Sequence, residues 1–156
     1  GVAKATFYSN FPTKDDLCLA YLKGLDTFEL DSIKEFVAKK RTPWARFLAV
    51  IESLEPWLQG NNLRGCSFLN MVAEVPDYKS PLRKAGRKHY QNIRAFIREL
   101  SVALIESDEQ HYGMLDPDAL ADDYMVIIGG SVALTEVYHD TWPIRQGIDM
   151  VARLVD

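Results

Sequence analysis

Cysteine is scarce in this chain. Its two residues, Cys18 and Cys66, have no CxxC partner and no histidine close by in sequence, so their spacing offers neither a disulfide framework nor a metal site, and both read as buried thiols. Long hydrophobic runs are missing as well. No stretch approaches the roughly 20 apolar residues of a spanning helix, and the opening GVAKATFYSNF lacks the basic start and apolar middle of a signal peptide. The expectation is a cytoplasmic protein with no membrane partner. Positive charge is also short: 22 acids against 18 bases leave a net charge of −4, which excludes a protein that coats nucleic acid through bulk charge. Catalytic signatures are absent. There is no GxSxG, HExxH, P-loop or dinucleotide fingerprint, and a nucleophile pair of Cys66 with His89 or His111 needs a proximity that their spacing does not supply. The sequence therefore reads as a non-enzyme without cofactor or metal.

What is present is apolar content and helical rhythm. Apolar residues make up 47% of the 156, enough for a sizeable core in a chain of this length, and the periodicity throughout is that of helices rather than strands. The expected fold is all-α. Thr13 followed by Asp15 and Asp16 is a helix start, and the helix runs to about Lys40 with Leu17, Tyr21, Phe28, Ile33 and Phe36 or Val37 as its stripe. Gly24, in its middle, marks close packing or a bend. Thr42-Pro43 opens a second helix that ends near Gly60, with a kink at Pro56. Residues 66–75 read as a short buried helix, Ser80-Pro81 opens the longest one, Asp116-Pro117 another, and Trp142-Pro143 the last. Charge is polarised along the chain: residues 1–14 hold Lys4 and Lys14 and no acid, whereas residues 106–123 hold seven acids and neither Lys nor Arg.

The first eleven residues carry the most specific information. Ala3, Phe7 and Phe11 repeat at i, i+4 and i+8 on one helical face, while Lys4, Ala5, Tyr8 and Ser9 occupy the other, with Thr6 and Asn10 on its flanks. A cation, small side chains and several hydroxyl or amide groups on one face suit a DNA groove. In order, Gly1-Val2-x-Lys4-x-Thr6-x-Tyr8-x-x-Phe11-Pro12-x-Lys14-x-x-Leu17 closely resembles the second half of the helix-turn-helix of TetR/AcrR-type transcriptional regulators. Arg64-Gly65-Cys66-Ser67-Phe68-Leu69-Asn70 is similar to a segment found in some branches of that family.

The resemblance implies a multi-helix bundle with the remnant of an N-terminal helix-turn-helix over residues 1–22 and a ligand-binding and dimerisation domain over residues 23–156. Lys4, Ala5, Thr6, Tyr8, Ser9 and Asn10 become the groove-facing set, and Lys14 resembles the family's phosphate-binding lysine. Asn10 stands where the family often has histidine. The family places two further helices before this motif, so the resemblance implies that the chain as given is part of a longer protein and binds DNA poorly without the rest. The implied function is that of a bacterial-type repressor that binds a palindromic operator as a homodimer and is released by a small molecule. The alternative is a helical interaction or adaptor module that does not bind DNA.

Trp57, Phe68, Met71, Tyr90, Ile93, Tyr124 and Ile128 lie on helices that the resemblance places around an effector cavity, although large apolar residues are ordinarily core. Gly129, Gly130 and Ala133 make a small-residue strip that, with Ile148 and Val151 of the last helix, resembles the family's four-helix dimer interface. Packing within one chain would use such a strip equally well. Glu74 is expected at a solvent edge, and His89, among Arg83, Lys84, Arg87 and Lys88, on a solvated basic face.

Overall fold

The computed structural model of the chain describes residues 11–156, and within them every regular element is helical. Local capping chemistry fixes most of the helix starts. Helix α1 spans Lys14–Ala38; Thr13 accepts from the Asp16 amide while the Asp16 carboxylate accepts from the Thr13 amide, a reciprocal cap. Helix α2, Pro43–Glu52, begins with Thr42 accepting from the Ala45 amide and proline at its first position. The same device of a capping side chain before proline opens α5, Pro81–Ser107, at Ser80 and α7, Pro117–Tyr138, at Asp116. The 22/23 boundary expected between domains falls inside α1, which is one continuous helix.

The expected second helix is two helices. Between α2 and α3, Leu54–Gly60, the chain breaks at Ser53. Pro56 causes this: it has no amide to offer the Glu52 carbonyl, and its ring collides with that carbonyl in a continuous helix. The break thus falls ahead of the proline. A loop follows in which Asn62, Leu63 and Gly65 all have left-handed φ, of 60°, 58° and 68°. Leu63 tolerates this uncommon conformation because its side chain packs on the core, and Asn61 ties the loop by donating to the Gly65 carbonyl and accepting from the Arg64 amide.

Helix α4, Ser67–Glu74, is not buried all round as its composition suggests; only Phe68 is buried, and Glu74 is at a solvent edge. A one-turn helix, α6 (Glu109–Tyr112), was not expected, and α8, Trp142–Ala152, closes the fold. Helix α5 is the central element, packing against α1, α2, α4 and α7. Gly86 lets α4 approach it: a Cβ there would lie 2.8 Å from Val72 Cγ2. Gly24 has no such role, since a Cβ there would meet nothing.

Phe47, Ile51, Leu58, Ile97, Leu104 and Ile144 form the centre of the core. Tyr124 is fully buried among them. Its hydroxyl donates to the Phe47 carbonyl at 2.8 Å and accepts from the Ile51 amide at 3.0 Å, so a side chain of α7 joins the backbone ladder of α2. Arg94 and Arg98 of α5 pair with Asp118 and Asp122 of α7 on the outside of the same contact.

Candidate functional site

Four helices enclose a cavity of about 330 Å³. Helix α1 contributes Phe28, Glu29, Ser32, Ile33 and Phe36; the α2–α3 junction Ser53, Leu54, Pro56 and Trp57; α5 His89, Tyr90 and Ile93; and α7 Ile128 and Val132. Phe28, 67% exposed, stands at its mouth. Most of the wall is apolar, and one corner is polar, where Cys66 enters from the N-cap of α4 beside Glu29, His89 and Tyr90.

His89 organises that corner. Its ring is 2% exposed and lies flat on Phe68. Nδ1 is 2.8 Å from Asp26 Oδ1, and Nε2 is 3.5 Å from Glu29 Oε2. Asn92 holds Asp26 in place by donating to its other oxygen at 3.1 Å. Burial pulls the histidine below its ordinary range, against the opposing pull of Asp26, so the ring is neutral at physiological pH. With Nδ1–H donated to Asp26, the bare lone pair belongs to Nε2.

Burial acts on each neighbour. Glu29 is pushed up to about 7 by desolvation and by the Asp26 charge. Desolvation also raises Cys66, opposed by the Leu69 and Phe68 amides and by the Tyr90 hydroxyl, which is hydrogen-bonded to the sulfur. Tyr90 itself is raised, chiefly by burial. A thiol held in its protonated form is a poor nucleophile, so the proximity of Cys66 and His89 does not by itself make a catalytic pair. Donor atoms of Glu29, Cys66 and His89 all lie within 4.8 Å of one another, a grouping that can hold a metal ion and that the wide sequence spacing of these residues does not reveal.

Of the residues expected around an effector, Trp57, Tyr90, Ile93 and Ile128 line this cavity. Phe68 stands behind His89, Tyr124 belongs to the core, and Met71 faces a separate hollow with Lys14, Cys18 and Asn70. His89 itself is a correction: it faces inward, while Lys84, Arg87 and Lys88 are exposed and Arg83 donates to the Val72 and Val75 carbonyls at the end of α4. Cys66 is buried as expected, but Cys18 only in part.

Lys14 is the exposed first residue of α1. Lys4, Ala5, Thr6, Tyr8, Ser9 and Asn10 lie outside the described residues. On α7, a Cβ on Gly129 or Gly130 would meet nothing within 4 Å, whereas one on Gly147 of α8 would lie 2.7 Å from Ile51 Cδ1 and collide with the Ser131 hydroxyl. The chain's own α7–α8 contact therefore runs through Gly147 and leaves the other two glycines open. Around them Ala133, Val126, Leu134, Val137 and Tyr138 of α7, and Met150 of α8, are exposed. Ile148 is half-buried. Val151 is fully buried and belongs to the core of one chain, not to that outer face.

Among the described residues no helix is long and apolar enough to cross a membrane. No curated protein matches the chain. Solved structures do: the TetR-family transcriptional regulator SCO4454 of Streptomyces coelicolor superposes with a TM-score of 0.83 at 28% identity, covering 99% of this chain and 74% of that one. A TetR transcription regulator of Haloarcula marismortui shares the fold with a TM-score of 0.80 at 23% identity, over 97% of this chain and 78% of its own. Residues 43–151, more than half of the chain, match the family model described as the tetracyclin repressor-like C-terminal domain. With the all-α fold around α5, that match makes the chain a member of the TetR family of transcriptional regulators.

Proposed function

We propose that the protein is a ligand-responsive repressor that binds a palindromic operator as a homodimer and is released when a small, mostly apolar molecule occupies the cavity. The observation that carries this reading is the double role of α1. The helix whose first residue is Lys14 also supplies Phe28, Glu29, Ser32, Ile33 and Phe36 to the cavity wall, so a ligand pressing on that wall bears on the helix that follows the DNA-reading motif. Lys4, Ala5, Thr6, Tyr8, Ser9 and Asn10 are the groove-facing set in this reading, with Lys14 on a phosphate. A cavity of this size with a few polar groups is the usual form of a small-molecule site.

Release is then a population shift, set by the difference in ligand affinity between the DNA-competent and incompetent arrangements of the two subunits. The exposed apolar face of α7 and α8, around Gly129, Gly130 and Ala133, supports a two-fold pairing of subunits, and a two-fold protein suits a palindromic site.

The test screens apolar and aromatic compounds by thermal shift against the full-length protein, followed by operator binding in their presence. Compounds that stabilise the protein and weaken operator binding support the reading. Tight occupants of the cavity that leave operator affinity unchanged overturn its ligand-responsive half.

A further inference from the structure

Three elements that are distant in sequence deliver a carboxylate, a thiol and an imidazole to one corner of the cavity. Glu29 comes from the middle of α1, Cys66 from the N-cap of α4 after the left-handed turn at Gly65, and His89 from α5. All three residues are buried. We propose that this corner binds one divalent transition-metal ion of the zinc class through Glu29, Cys66 Sγ and His89 Nε2, with a fourth coordination position facing the cavity.

The donor set is the first argument. A thiolate, an imidazole and a carboxylate together suit zinc, and three protein ligands with one open position is the arrangement of zinc sites that take a further ligand. Distance is the second. Ligand atoms on a tetrahedral zinc lie roughly 3.4 Å apart, given bonds of about 2.0–2.3 Å, and these donors already lie within 4.8 Å of one another. Side-chain adjustments of about an ångström close the site.

The third argument is the support behind the ligands. Metal-bound histidines donate their other ring nitrogen to a carboxylate or carbonyl, which fixes the tautomer and the ring plane. Asp26 does this for His89 at 2.8 Å, Asn92 braces Asp26, and Phe68 holds the ring flat. Charge is the fourth. One thiolate, one carboxylate and a neutral imidazole balance a divalent cation, so the ligand set itself carries no net charge, with the Asp26 carboxylate behind His89 outside that balance; Cys66 releases its proton to solvent on binding, as does Glu29 when it carries one. The open position faces the same space as Trp57 and Ile93, where a water or a donor atom of a cavity ligand completes the coordination.

Titrating the reduced, chelator-treated protein with Co²⁺, then competing with Zn²⁺, tests the site. One Co²⁺ per chain is expected, with thiolate-to-cobalt charge-transfer absorption and the visible bands of a four-coordinate ion, both lost on adding Zn²⁺. Cys66→Ser removes the charge-transfer band, and Cys18→Ser retains it. Glu29→Gln weakens binding while circular dichroism shows the fold intact. Asp26→Asn leaves all three ligands in place and lowers Zn²⁺ affinity by about 10–100-fold. A folded protein without the charge-transfer band, or a band that survives Cys66→Ser, overturns the proposal. Metal binding is read directly, so its failure is distinct from failure of the ligand response at the operator.

Discussion

The imidazole of His89 lies parallel to the ring of Phe68, with centroids 3.8 Å apart and planes 7° apart. Together with the Asp26 bond to Nδ1, this leaves the histidine one orientation. Phe68 is also the only buried residue of α4, so it anchors that helix to α5. Phe68→Ala is expected to cost about 3–5 kcal/mol, as for a buried aromatic. Urea unfolding followed by circular dichroism measures it.

Tyr124→Phe keeps the ring and removes one oxygen. The loss removes the hydroxyl that bridges the Phe47 carbonyl and the Ile51 amide, which are i and i+4 neighbours in α2 and can still pair with each other. An expected destabilisation of about 0.5–1.5 kcal/mol is the net worth of a typical buried hydrogen bond. The unfolding midpoint of the variant against the parent gives the value.

Acid weakens the contact between α5 and α7. Hydrogen bonds from Arg98 hold Asp118 below the ordinary aspartate value of 3.8, and those from Arg94 do the same for Asp122. A carboxyl whose folded value is depressed contributes its stability above the unfolded value and loses it as pH falls through the folded one. The parent protein should therefore lose stability below about pH 4, and Asp118→Asn should lose less over that window. Thermal melts from pH 5 to pH 2.5 compare the two, with high salt shrinking the difference because the pairs are exposed.

Three glycines separate fold from assembly. Gly147→Ala forces a methyl group against Ser131 and Ile51, and overpacking of about 1–3 kcal/mol outweighs a helix-propensity gain of about 1 kcal/mol. Gly129→Ala and Gly130→Ala meet no such obstacle within one chain. Each is expected to stabilise the isolated subunit by up to about 1 kcal/mol and to weaken self-association through loss of close approach between α7 helices. Light scattering across a concentration series, beside thermal melts, reads both effects, and unchanged association would remove that face from the dimer contact.

Lys14→Ala in the full-length protein should weaken DNA binding uniformly across sequences and reduce the salt slope by about 1, as loss of one cationic phosphate contact does. Tyr8→Ala should weaken binding without that change in slope. Fluorescence anisotropy on operator DNA from low to high salt distinguishes them.

The helix starts were legible because capping is local chemistry: Thr13, Thr42, Ser80 and Asp116 act on amides two or three residues away. The polar corner was not, and its own residues concealed it. On α5 the buried face is Leu82, Gly86, His89, Ile93, Ile97, Ser101 and Leu104, whereas an apolar reading takes Tyr90 and Leu100 in place of the histidine and serine. Helix α1 repeats the effect. Its buried positions are Leu22, Glu29 and Val37, while Tyr21 and Phe28, which the apolar stripe selects, are 60% and 67% exposed. Hydrophobic periodicity finds core faces by their apolar members, so a face interrupted by buried polar groups is read one position off. The meeting of Cys66 with His89 is tertiary, and no local signal encodes it.

Helix α1 also sets a mechanical scale. At 1.5 Å per residue, the 15 steps from Glu29 at the cavity to Lys14 make a rigid arm of about 22 Å, so a tilt of about 5° at the cavity end sweeps the tip by about 2 Å. In a two-fold pair the two tips move together, and their separation can change by up to about 4 Å, against the roughly 34 Å between half-sites on one face of DNA. If the protein binds its operator as the proposed two-fold pair, a tilt of a few degrees at the cavity would change the spacing of the two reading heads by about one base-pair step, which the duplex would have to follow by bending.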